Sequence, residues 1–166
     1  MKLDQIRSGS RIFIDSTIFI YHFTGASPAC RTLLERCERG EVAGLTSTVV
    51  LAEIAHRLML LEALAQGLAR VKNLTRKLRE KPELVRRLHL YQEQVERIPL
   101  MGVDIVPLTL KTLLGSKDVR TRHGLLVNDS LVATAAQEAD VDGLASADED
   151  FSRLGTPKLF MPHDLT

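Results

Sequence analysis

No tryptophan occurs in this chain of 166 residues, and aromatic side chains make up only 4% of it. Stacked aromatic platforms therefore cannot dominate contact with a single-stranded nucleic acid. Cysteine is as scarce: Cys30 and Cys37 are the only two, seven positions apart on a predicted helix. That spacing is roughly 10 Å of helical rise, too far for a disulfide, so reduced thiols in a cytoplasmic protein are expected. No uncharged apolar run reaches membrane-spanning length, so no membrane association is expected. The opening Met1-Lys2-Leu3-Asp4-Gln5-Ile6-Arg7 lacks the apolar stretch of a signal peptide. Also missing are a Gly-x-Ser-x-Gly elbow, a P-loop, a Gly-x-Gly-x-x-Gly fingerprint and paired Cys-x-x-Cys motifs. Hydrolase-triad, nucleotide-binding and zinc chemistries gain no support.

What is present is an ordinary globular composition, 45% hydrophobic and 26% charged. A chain of this length fits one domain, residues 1–166, with no internal repeat or linker. Its net charge of +1 conceals an uneven distribution. Residues 70–97 carry nine basic side chains (Arg70, Lys72, Arg76, Lys77, Arg79, Lys81, Arg86, Arg87 and Arg97) against four acidic ones. Residues 123–152 carry seven acids and no Lys or Arg. A basic arm beside an acidic pocket suits a polyanion held by one part and cut at another. The basic stretch fits the solvated face of a helical segment equally well.

Strands and helices are predicted to alternate. Strands are expected at about 11–15, 42–46, 103–108, 141–147 and 159–161. Helices are expected at 17–23, 28–39, 49–65, 68–80, 83–98, 109–116 and 127–138, with residues 117–123 irregular. Pro28 and Pro82 are well placed at helix starts, and Ser47 or Thr48 at a cap. Such alternation argues for an α/β fold whose mostly parallel sheet is covered on both faces.

Four acids stand in apolar settings: Asp15, Glu53, Asp129 and Asp148. Each has a local explanation. Asp15, which ends the run Arg11-Ile12-Phe13-Ile14, suits a helix N-cap, and so does Asp129. Glu53 can pair with Arg57 four residues on. Asp148 and Asp150 follow a strand, where loop acids are common. Yet several ionised carboxylates on apolar faces need compensation, because each would cost several kcal/mol if buried unpaired. No basic residue between 123 and 152 supplies it. A divalent cation would, and hard oxygen donors without clustered Cys or His favour Mg²⁺ or Mn²⁺.

Two other motifs are weaker. Glu138-Ala139-Asp140-Val141-Asp142-Gly143 with Glu149 nearly fits a calcium loop, but it starts on Glu, and Gly155 and Pro157 interrupt the exiting helix. Glu53-Ile54-Ala55-His56 has the Glu-x-x-His spacing of di-iron bundles but no second copy.

The order and setting of the acids resemble the PIN-domain ribonucleases, especially the VapC-like toxins of type II toxin–antitoxin pairs. The opening strand ending Asp-Thr-Asn is matched by Ile12-Phe13-Ile14-Asp15-Ser16-Thr17, with substitutions at the last two positions. The second acid, after a Ser/Thr-rich strand end, is matched by Thr46-Ser47-Thr48-Val49-Val50-Leu51-Ala52-Glu53. The third is matched by Asp129-Ser130-Leu131-Val132-Ala133-Thr134-Ala135, and the last by Ser146-Ala147-Asp148-Glu149-Asp150-Phe151. The resemblance spans about residues 11–161. It implies a three-layer α/β/α sandwich, Mg²⁺- or Mn²⁺-dependent cleavage of RNA, a homodimer and a small antitoxin partner. It also implies that Asp15, Glu53, Asp129 and Asp148 are metal ligands, that Asp150 is a supporting metal ligand, and that Thr17 and Ser146 hold water or the acids. Arg70, Lys72, Arg76, Lys77, Arg79, Arg86 and Arg87 are candidate RNA contacts, and the segment at about 68–98 is longer than a minimal member needs. A non-catalytic RNA- or protein-binding module and a nuclease acting on DNA are the alternatives.

Overall fold

Ile12, Phe13 and Ile14 are each 0% exposed, because apolar side chains on both faces of one strand are stable only under cover on both sides. They form β1 (Arg11–Ile14) at the middle of a five-stranded sheet in a computed structural model that describes residues 1–68 and 71–165. The other strands are β2 (Ala43–Ser47), β3 (Val103–Val106), β4 (Gly143–Ala145) and β5 (Lys158–Phe160). Their order is β3-β2-β1-β4-β5, and every neighbouring pair is parallel. Eight α-helices are found among the described residues: α1 (Ser16–Thr24), α2 (Pro28–Glu38), α3 (Thr48–Ala65), α4 (Leu74–Glu80), α5 (Pro82–Val85), α6 (Leu90–Arg97), α7 (Leu110–His123) and α8 (Val127–Glu138). They flank the sheet to complete the three-layer α/β/α sandwich. No helix among the described residues is long and apolar enough to cross a membrane.

The chain winds outward from β1 through β2 to β3, then returns to lay β4 on the other side of β1. That reversal is a topological switch point, where α/β sheets leave a crevice at the carboxyl ends of the strands. The register is set there by Ile14 opposite Ala145, and the Asp15 amide donates to the Ala145 carbonyl at 3.0 Å. Gly143 lets β4 and β5 close up, since a Cβ at that position would run into the Phe160 ring.

Three expectations need correction. Where a helix at 109–116 and an irregular stretch at 117–123 were expected, Leu110–His123 is one helix, α7, capped by Thr109. Gly115 is tolerated inside it, and Ser116 donates its hydroxyl to the Leu113 carbonyl at 2.7 Å and accepts from Arg120 at 2.8 Å. The expected pair of helices at 68–80 and 83–98 is instead a short 3-10 turn at Val71–Asn73 followed by α4, α5 and α6. The strands expected at 103–108 and 141–147 are shorter than read, the first stopping ahead of Pro107. The calcium-loop motif is also dismantled: Glu138 ends α8 and accepts from the Thr112 hydroxyl at 2.7 Å, while Asp142 accepts from the Arg11 amide at 2.8 Å.

The break between α5 and α6 has a specific cause. Glu62 on α3 is only 8% exposed, and its carboxylate accepts the His89 amide at 3.1 Å and the Tyr91 amide at 3.0 Å. It acts as a cap delivered from another helix, where no side chain of the segment's own caps α6. Beside it, Ala63, Leu74, Leu78 and Leu88 form a small second core. Glu62→Ala should therefore lower stability by about 2 kcal/mol, the cost of stranding amides bonded to a charged acceptor, and Glu62→Gln by less. Urea unfolding measures this, and an unchanged midpoint for Glu62→Ala would reject the cap.

Candidate active site

Asp15 sits at the carboxyl end of β1, 5% exposed, with extended backbone that lets it cap α1. Its Oδ2 accepts the Thr17 amide at 3.4 Å, the Thr17 hydroxyl at 2.9 Å and the Ser146 hydroxyl at 2.8 Å. Helix capping and near-complete burial are thus combined in one carboxylate. Ser146, at the end of β4, accepts the Asp148 amide at 3.0 Å, and the Thr17 hydroxyl accepts the Ala147 amide at 3.0 Å. The two hydroxyls lock the β1 and β4 strand ends together. Thr46 adds a third tie, donating to the Ile14 carbonyl at 2.9 Å.

Glu53 lies in the second turn of α3, which starts at Thr48 after Ser47 caps it by accepting the Val50 amide at 3.4 Å. Its carboxylate is half-buried and pairs with Arg57 at 3.3 Å, so the (i, i+4) ion pair is real. Asp148 caps the 3-10 turn Glu149–Leu154, its Oδ1 accepting the Asp150 amide at 2.9 Å. Asp150 pairs with Arg153 at 2.8 Å.

Asp129 is not an N-cap. Leu126 holds that position, and Asp129 is the third residue of α8. A carboxylate in the first turn is ordinarily favoured by the helix dipole and would titrate low. Here its pKa is pushed up to about 6, first by burial and then by the negative charges of Asp148, Asp15, Glu53 and Asp150. Burial and like charge outweigh the dipole, and the named neighbours show which acids surround it. The four other predicted acids, from the ends of β1 and β4 and from α3, thus lie within electrostatic reach of Asp129 on α8.

Compensation by side chains is partial. The expected pair of Glu53 with Arg57 is present, and Arg153, one position past the stretch that holds no Lys or Arg, pairs with Asp150. Among the described residues Asp15, Asp129 and Asp148 have no basic partner, and no three His, Cys, Asp or Glu side chains form a ready-made metal cage. Of the candidate RNA contacts, Lys72, Arg76, Arg79, Arg86 and Arg87 are exposed and Lys77 is half-buried. They lie on the segment that packs against the far end of α3, about 15 Å of helical rise from Glu53. Arg76 also reaches Glu80 at 3.8 Å, and Arg70 lies outside the described residues. Sequence reasoning missed Arg153, Thr46 and Glu62, whose roles depend on contacts distant in the chain.

Acids from these four places, at the switch point of a parallel five-stranded sheet, are the arrangement that the resemblance to PIN domains implies. Residues 12–157 match the model of the PIN domain family, and the chain belongs to that family. Ribonuclease VapC2 of Methanocaldococcus jannaschii is 25% identical over 149 residues, which cover 87% of this chain and 89% of that protein. VapBC2 from Rickettsia felis, solved with a DNA fragment from their promoter, shares the fold with a TM-score of 0.60 at 18% identity. It covers 92% of this chain and 98% of its own. A toxin–antitoxin complex from Klebsiella pneumoniae gives a TM-score of 0.58 at 19% identity, with the same coverage of 92% and 98%.

A carboxyl that holds its proton more tightly in the folded than in the unfolded chain costs stability once both states lose it. With Asp129 moved from 3.8 to about 6, metal-free stability should fall as pH rises through that window and level off above it. The loss should be on the order of 1 kcal/mol, below the full linkage value because the carboxylate is partly solvated. Asp129→Asn should remove this slope in chelator-treated protein. Urea midpoints at pH 4.5 and 7 measure it, and identical slopes for both proteins would refute the electrostatic reading.

Proposed function

We propose that this chain is an Mg²⁺- or Mn²⁺-dependent endoribonuclease and the toxin of a toxin–antitoxin pair. The reading is carried by the negative charge of Asp148, Asp15, Glu53 and Asp150 acting on half-buried Asp129 in a PIN fold. Similarity to Ribonuclease VapC2 over most of both chains supports RNA as the substrate. The toxin–antitoxin complex among the structural relatives supports a small antitoxin as partner. A homodimer is part of the same reading. Cytoplasmic action accords with Cys30 and Cys37, both buried and unpaired with each other, their thiols pushed up to about 11 chiefly by burial.

The donor set fits a hard divalent cation, since every candidate ligand is a carboxylate oxygen and three of the acids lack a basic partner among the described residues. Asp15, Glu53, Asp129 and Asp148 would hold the ion, which supplies Lewis-acid polarisation of the phosphodiester and a more acidic water. The chain's own residues do the rest. Thr17 and Ser146 fix Asp15 through Oδ2, so its orientation is set before anything binds. The Asp150 amide fixes Asp148 through Oδ1 in the same manner. Lys72, Lys77, Arg79, Arg86 and Arg87 provide a basic surface that holds the RNA backbone away from the acids.

The purified protein should cleave labelled RNA with Mg²⁺, be silent in chelator, and lose about 10²–10³-fold in rate on Asp129→Asn, the usual cost of removing one electrostatic support. A labelled DNA arm decides the nucleic acid. Cleavage indifferent to both chelator and substitution would sink the mechanism. Replacing Arg79, Arg86 and Arg87 with Ala should weaken RNA binding across sequences and reduce the salt slope by about one per lost phosphate contact. An unchanged slope, read by fluorescence anisotropy, removes the helical segment from the substrate path.

A further inference from the structure

Arg153 joins two acid-bearing parts of the chain that the sheet does not join. One guanidinium nitrogen, Nη2, meets Asp150 Oδ1 at 2.8 Å. The other, Nη1, donates to the Gly124 carbonyl at 3.2 Å. Its own backbone carbonyl lies 2.8 Å from His123 Nδ1. Gly124 caps α7 in the left-handed conformation and leads directly into α8, which carries Asp129. Asp150 belongs to the turn that Asp148 caps. The three contacts therefore tie the Asp148–Asp150 turn to the approach of α8 across about thirty residues of sequence.

We propose that Arg153 is a positioning residue of the acidic centre, the tie that sets the spacing between the Asp148–Asp150 turn and Asp129. The inference rests on the reading that the acids hold a divalent cation. An (i, i+3) pair whose side chains are 50% and 44% exposed contributes little to global stability, so its fork geometry is better explained by where it holds the turn. The fork matters because a guanidinium engages a carboxylate and a carbonyl at once, whereas an ammonium is a single point charge. Asp150 is thereby engaged by Arg153 and acts on the site through the turn.

The contrast between Arg153→Lys and Arg153→Ala tests this. Arg153→Lys keeps the charge and loses the fork. If the role is positioning, both variants weaken Mn²⁺ binding in calorimetry by about tenfold, the scale of lost outer-sphere support. Both also raise the Mg²⁺ concentration for half-maximal cleavage more than they lower the saturated rate. Without metal, both speed hydrogen exchange at the Asp150 amide while the thermal midpoint stays near that of the parent. If the role is only to offset negative charge, Arg153→Lys matches the parent and Arg153→Ala binds Mn²⁺ more tightly, and the proposal is overturned. Parent protein that binds no Mn²⁺ defeats the metal reading itself. Unchanged exchange at Asp150 in the variants defeats the tie independently of any metal.

Discussion

A carboxylate that folding removes from water must find donors or lose its charge, and Asp15 is the place where this molecule meets that demand. Two hydroxyls answer it, one from the residue two positions on and one from a strand 131 positions away. The second is the consequential one. Ser146 can reach Asp15 only if β4 lies beside β1 in the register that pairs Ile14 with Ala145. A slip of one residue would turn every side chain of the strand to the opposite face and leave the acid buried without partners. The polar centre and the strand order thus require each other.

Around that point the remaining acids are arranged by different means. Glu53 rides on a long helix whose start is fixed by Ser47, and Asp129 on the first turn of a helix whose N-cap is Leu126. Asp148 and Asp150 share one short turn. The acids are carried by different elements, so their mutual repulsion is opposed by the fold as well as by local contacts. Arg57 and Arg153 stand at the margin, each engaging one acid.

The order of strands and helices was legible because apolar runs and helical spacing report burial directly. The burial of two acids was legible for a related reason: Asp15 and Asp129 stand where a side chain of their polarity is costly. Less legible was anything settled by partners remote in sequence. Residues 117–123 read as irregular, whereas packing against α8 carries the helix through to His123. The break at residues 86–89 could not be inferred from its own residues, since the cap comes from Glu62. Arg153 escaped notice because it stands one step beyond a stretch counted as purely acidic.

Strand order also bears on how the molecule comes into being. The central position beside β1 is filled by β4, which the chain supplies only after three strands and all eight described helices have been made. A polypeptide still under synthesis, or one ended prematurely, leaves one side of β1 open and lacks both Ser146 and Asp148. The hydroxyl tie from Ser146 to Asp15 therefore forms only once β4 has docked beside β1.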